Sequence, residues 1–221
     1  MGQQAPDISG KREQTKLRNR SLLLAAARLT FVELGYDGAT VRDIVARTAL
    51  APGTFYNYFP DKRSVLIALM NEASAEATRR AREARAQASS FDDLVHRGFR
   101  AYFDFIASDP STFELMRRNL STLRSLGLDE TGFSASVEDL RADLARAMAD
   151  GTLPKMPLEY LPLSIGAIAF EVGAAMVAND PPDIEGATEF AAEFCIGAIE
   201  RFGRAAQRKS KRRTNADRRQ G

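Results

Sequence analysis

The chain has 221 residues, a net charge of +2, a hydrophobic fraction of 44%, one cysteine (Cys195) and one histidine (His96). That length holds one large domain or two small ones, and the hydrophobic fraction is ordinary for a soluble globular protein. A lone cysteine excludes an internal disulfide framework and fits a reducing cytoplasm, and one His with one Cys cannot build a His/Cys zinc cluster. No apolar run reaches the roughly 18 to 20 residues needed to span a bilayer, and no charged-then-apolar opening predicts secretion.

Charge is spread unevenly. Residues 1–63 carry 10 basic and 6 acidic side chains, residues 64–199 carry 12 and 21, and residues 200–221 carry 9 and 2. Basic ends around an acidic middle predict that the ends meet a polyanion and the middle does something else.

Residues 1–18 are polar and basic, and are expected to be a disordered arm. From Asn19 to Leu34 the pattern turns helical. Leu23, Ala27, Phe31 and Leu34 form one apolar stripe, and Gly35 is a natural stop. Thr40 is placed to cap a second helix over Val41–Arg47, whose apolar face is Val41, Ile44 and Val45. Thr48 to Ala51 form a turn, and Pro52 suits the first position of a third helix. Phe55 and Phe59, four apart, face inward. Thr54, Asn57 and Tyr58 are left on other faces. A fourth helix starts at Asp61 and runs to about Ala86, with a charged far half read as solvated. Further helices follow over about Phe91–Ala107, Pro110–Leu126, Ser134–Asp150, Leu158–Ala178 and Ile184–Ala206, divided by Gly and Pro. The fold class is all-α, about nine helices with no strand. The basic tail, 207–221, is expected to be disordered.

Thr40 to Lys62 reads TVRDIVARTALAPGTFYNYFPDK. Two short helices joined by a tight turn, the second displaying hydroxyls and an amide beside cations, suit the major groove of DNA. The run FVELGYDGATVRDIVART from Phe31, followed by ALAPGTFYNYFPDK, resembles the DNA-binding region of TetR-family transcriptional regulators over about residues 19–66. The resemblance implies a three-helix DNA-binding head at 19–65 on a helical effector-binding and dimerisation body at 66–206. By position it implies that Arg42 approaches phosphate or a base edge. Gly53, Thr54, Tyr56 and Asn57 would face the groove, and Tyr58 and Lys62 would hold the DNA backbone, with Lys62 donating to phosphate. Thr40 is counted with this set. Ala49 and Ala51 depart from the pattern, which often has glycine in the turn and serine at the cap. Ala51 cannot accept a bond from the helix N–H groups, a deficit of roughly 1 kcal/mol.

The acidic body is not expected to bind nucleic acid. The apolar Leu158–Ala178 helix and the last helix, both rich in small residues, predict a homodimer interface that includes Gly166, Phe170, Gly173, Val177, Phe190, Phe194 and Gly197. A monomer in which the same two helices form the core remains the alternative. Phe99, Tyr102, Phe103, Phe113, Met116, Leu120 and Phe170 could line an apolar effector pocket, with Arg117 beside it for an anionic head or in ordinary surface ion pairs. The stretch FELMRRNLSTLRSLG with AFEVGAAMVANDPPD resembles regulators of fatty-acid metabolism, which implies an acyl-type ligand. His96 and Cys195 have no identifiable partner for nucleophilic catalysis, so no enzyme is expected, and no cofactor or metal is implied. The expected function is a homodimeric repressor, released from a palindromic operator by a small apolar or amphipathic effector. The alternatives are an activator, a ligand-free DNA binder, or a helical lipid-binding protein or enzyme with an incidental helix-turn-helix.

Overall fold

A computed structural model describes residues 8–120 and 132–217. Among the described residues there are eight α-helices, one 3-10 segment and no strand. They are α1 (Ile8–Gly38), α2 (Val41–Ala46), the 3-10 segment (Pro52–Asn57), α3 (Lys62–Arg85), α4 (Phe91–Ser108) and α5 (Pro110–Arg118), then α6 (Gly132–Ala149), α7 (Leu161–Val177) and α8 (Ile184–Asp217). The expected end of the α5 helix near Leu126 lies outside the described residues. No described helix is long and apolar enough to cross a membrane.

Two compact units divide the chain. One is Met1–Glu72 with Ser111–Thr131; the other is Ala73–Pro110 with Gly132–Gly221. In the first, Leu23, Ala27, Phe31, Ile44, Val45, Phe55, Phe59, Val65 and Leu66 form a buried core. The helical stripe delivers Leu23, Ala27 and Phe31 inward as expected. Leu34 is 50% exposed, and Thr30 is buried in its place on the inner side. Thr30 satisfies its hydroxyl by donating to the Ala26 carbonyl at 2.8 Å, so its burial leaves no polar group unpaired. Leu115 of α5 joins the same core, and Met116 packs against it. By its place in the sequence this helix falls within the expected body at 66–206. Its link to the head is a contact between distant parts of the chain, which helical periodicity cannot express.

Of the two segments expected to be disordered, the described parts are helical. α1 begins at Ile8 rather than Asn19, and α8 continues to Asp217 rather than ending near Ala206. Both extensions continue a helix already nucleated by packed residues, and Lys, Arg, Gln and Ala propagate a helix readily. Gly35 does break α1, with φ 72° and ψ 159°.

In the second unit, Leu144, Leu153 and Ile199 form a buried cluster backed by Phe91, Leu140, Leu158, Leu161 and Ile165. Gly173 of α7 lies against α4. A Cβ there would stand 2.5 Å from Ile106 Cδ1 and 3.5 Å from the Phe103 ring. Gly173, expected at the dimer face, is buried and packs within the chain, where an added Cβ would press on the tip of the Ile106 side chain. The charged end of α3 is not simply solvated either. Arg85, 12% exposed, pairs with Asp139 at 3.1 Å and Asp143 at 2.7 Å on α6, and Arg82 also pairs with Asp139.

Candidate nucleic-acid interface

α2 owes its start to a capping box. The Thr40 hydroxyl accepts from the Asp43 backbone N–H at 3.2 Å, and the Asp43 carboxylate accepts from the Thr40 N–H at 2.9 Å and its hydroxyl at 2.6 Å. Two orphan donors of a helix N-terminus are thereby satisfied. These bonds hold the Asp43 carboxyl below the usual carboxylate range. The expected cap is present, and the Thr40 hydroxyl is engaged within the chain. Ile44 and Val45 are buried, leaving Arg42 exposed without an ion pair among the described residues. Arg47, by contrast, pairs with Glu33.

The turn that follows is closed by Thr48, whose hydroxyl donates to the Val45 carbonyl at 2.9 Å and accepts from the Leu50 N–H at 3.2 Å. The third helical element is 3-10, not a regular α-helix. Its N-cap Ala51 supplies no side-chain bond, and Pro52 sits in its first turn. A helix of one or two turns without a cap has little intrinsic stability, so tertiary contacts hold it. Phe55 is fully buried and Phe59 nearly so, with ring centroids 5.9 Å apart. That anchoring fixes what points outward. Gly53, Tyr56 and Asn57 are exposed, Thr54 is half-exposed, and Tyr58 packs partly against the core.

Lys62 is engaged within the chain. Its ammonium donates to the carbonyls of Tyr36 at 2.7 Å and Ala39 at 2.8 Å, with Asp37 at 3.4 Å. It also lies 4.5 Å from the centroid of the Tyr36 ring. The cation thus collects the carbonyls of the link between α1 and α2, where chain direction changes after Gly35. Behind it, Arg20 pairs with Glu72 at 2.6 Å and lies over the Phe59 ring.

One set of residues was not singled out in the sequence. Lys11, Arg12, Thr15 and Lys16 line an open cleft of about 270 Å³ together with Tyr58. Their signal in the sequence is the basic composition of residues 1–18, and their geometry comes from the helix that starts at Ile8. Continued as helix, they set three cations beside the recognition element.

The expected effector-pocket residues divide between the two units. Phe113, Met116, Arg117 and Leu120 belong to the first; Phe99, Tyr102, Phe103 and Phe170 belong to the second. Phe103 is fully buried, with its ring centroid 5.8 Å from each of Phe99 and Tyr102. Burial pushes the Tyr102 phenol well above its ordinary range. Arg117 and Arg118 both bond to Glu114, holding that carboxyl down at about 2. Of the expected dimer residues, Phe190 and Phe194 are 60% and 57% exposed and stack on one another with centroids 6.2 Å apart. Gly197 is also exposed, and Gly166, Phe170 and Val177 are half-buried. Cys195 is buried, and desolvation pushes its thiol up to about 11, which suits a small apolar packing residue rather than a nucleophile.

A three-helix head whose last element is pinned by two aromatic anchors and exposes small polar and aromatic groups defines a helix-turn-helix domain. Residues 23–69 match the model of the bacterial regulatory proteins of the tetR family, so this segment is similar to that family's DNA-binding head. Among solved structures, the chain is similar to the fatty acid degradation regulator FadR of Bacillus halodurans, at 20% identity over 90% of this chain and 98% of that one, with a TM-score of 0.70. A TetR-family transcriptional regulator from Syntrophomonas wolfei matches at 21% identity over 83% and 96%, with a TM-score of 0.71. FadR of Bacillus subtilis, solved with stearoyl-CoA, matches at 20% identity over 81% and 98%, with a TM-score of 0.64. At these identities the likeness shows the shared fold.

Proposed function

We propose that the chain acts as a homodimer that binds a palindromic operator and represses transcription until a small acyl-type ligand releases it. The observation that carries the DNA reading is the row Gly53, Thr54, Tyr56 and Asn57, turned outward by buried Phe55 and Phe59 within the tetR-family segment. Hydroxyl and amide groups at such positions read base edges, while Arg42, Lys11, Arg12 and Lys16 neutralise phosphate. Tyr58 adds a hydroxyl at the rim of the basic cleft. Lys62 contributes by shaping the α1–α2 link, and in the complex any phosphate contact it makes competes with the carbonyls it already serves.

One short recognition element reads few base pairs, so a two-fold pair of heads about 34–36 Å apart accounts better for a specific operator. Phe190 and Phe194 on α8, with half-exposed Leu163 on α7, provide an apolar face of the kind that self-association covers. The ligand assignment is supported by the aromatic set Phe99, Tyr102, Phe103 and Phe170, and by the stearoyl-CoA bound to the similarly folded Bacillus subtilis protein. Release follows if the ligand prefers the arrangement with badly spaced heads, by no more than its differential affinity. The site of action is the cytoplasm.

Selection of bound sequences from random duplex DNA by the full chain tests this reading. A palindromic consensus is expected, and titrating stearoyl-CoA should lower its occupancy. Absence of enrichment would overturn the DNA reading, enrichment of a single half-site the dimer, and occupancy indifferent to acyl-CoA the ligand.

A further inference from the structure

α4 and α8 pack antiparallel through a ladder of side chains. Arg100 on α4 reaches Glu185 on α8 at 2.6 Å, and four residues back and four residues on, His96 Nε2 lies 3.4 Å from Glu189 Oε2. The same spacing carried one step further reaches Asp92 and Glu193, both acidic. Glu193 has no ion-pair partner among the described residues, and Glu189 has only His96. Two carboxylates one turn apart on a helix repel one another unless a cation lies between them. No arginine or lysine supplies it here, because Arg100 is taken by Asp104 and Glu185 and Arg97 by Asp93.

We propose that His96, Glu189 and Glu193 form a site for a divalent transition-metal ion of the zinc class, fastening α4 to α8. One ligand atom from each residue lies within 4.8 Å of the others. In a tetrahedral site with bonds of about 2.0–2.1 Å, ligand atoms stand about 3.4 Å apart, which is the His96–Glu189 separation already in place. Glu193 is exposed and closes the remaining gap by a rotamer change. The imidazole is also oriented. His96 Nδ1 bonds to the Asp92 backbone carbonyl at 2.8 Å, and a carbonyl can only accept, so Nδ1 is the donor and Nε2 is the nitrogen turned toward the carboxylates. A histidine held by its other nitrogen is the usual support of a metal ligand. One imidazole with two carboxylates favours Zn²⁺, Co²⁺ or Ni²⁺ over Mg²⁺ or Ca²⁺, which prefer all-oxygen shells. The three protein ligands leave a position open to water. Nothing in the sequence pattern grouped them, since His96 and the glutamates are brought together only by the pairing of two helices. This site is independent of the DNA and acyl-ligand readings.

The test uses the full chain without an affinity tag. Because His96 is the only histidine, its imidazole NMR signal reports on the site directly. Zn²⁺ should shift that signal saturably, and Zn²⁺ calorimetry should give a single site per chain. His96→Ala and Glu193→Gln should each weaken binding by at least about tenfold while leaving the circular-dichroism spectrum unchanged. Mg²⁺ at equal concentration should leave the imidazole signal in place. An imidazole signal that Zn²⁺ does not move, or Zn²⁺ affinity unchanged in both variants, would overturn the assignment.

Discussion

Lys62 Nζ lies 2.7 Å from the carbonyl oxygen of Tyr36 and 4.5 Å from the centroid of the same residue's ring. With Ala39 as a second close acceptor, a single ammonium ties the link between α1 and α2 to the start of α3. An ammonium carries three donors and no acceptor, so a cluster of carbonyls is a matched partner for it. Lys62→Met keeps the stem and removes the donors. It is expected to lower the stability of the head by about 1–2 kcal/mol, since water partly replaces the lost bonds. Urea unfolding of the full chain checks this. A variant that unfolds at the wild-type midpoint yet loses DNA binding would assign Lys62 to phosphate alone.

Tyr56 and Phe55 are neighbours in sequence, but Tyr56 is 61% exposed and Phe55 is not exposed at all. Their alanine variants should therefore separate readout from folding. Tyr56→Ala should change stability by less than about 0.5 kcal/mol and weaken binding to the selected operator about tenfold or more. Phe55→Ala should cost about 3–5 kcal/mol through the cavity it leaves. Denaturation and fluorescence-anisotropy titration, run on the same samples, read both quantities.

Gly173 allows α7 to lie against Ile106 of α4. Gly173→Ala is expected to cost about 1–3 kcal/mol by overpacking. Ile106→Val removes the atom that a Cβ would strike, and alone should cost about 0.5–1.5 kcal/mol. Combined, the two should cost less than the sum of the single changes. A double-mutant cycle measures that coupling, and strict additivity would contradict the close approach.

Acid should weaken the head in a defined direction. The Thr40 hydroxyl and N–H hold the Asp43 carboxyl low, and the Ser64 hydroxyl and N–H do the same for Asp61. A carboxyl depressed in the folded state adds stability above its unfolded value, here 3.8, and that stability is lost as pH falls through the lower folded value. Urea midpoints should thus be level near neutrality and decline below about pH 4. Asp43→Asn should flatten part of that decline, as midpoints measured in steps from about pH 6 to about pH 2.5 would reveal.

Local interactions account for what the sequence alone determined. The apolar stripe of α1, the break at Gly35, the Thr40 cap, the uncapped start at Ala51 and the inward pair Phe55 and Phe59 each depend on neighbours within a few residues. Helical periodicity and capping chemistry express such relationships directly. The all-helical class was legible for that reason, while the resemblance to the tetR-family head rests on the motif residues between Phe31 and Lys62. Tertiary structure alone decided the rest. Lys62 met the carbonyls of Tyr36 and Ala39, Leu115 joined the core of the head, and Gly173 packed under Ile106. His96 likewise met Glu189. Each of these pairs residues far apart in the chain, and their meeting is set by helix crossing and burial, which no pattern within one helix encodes.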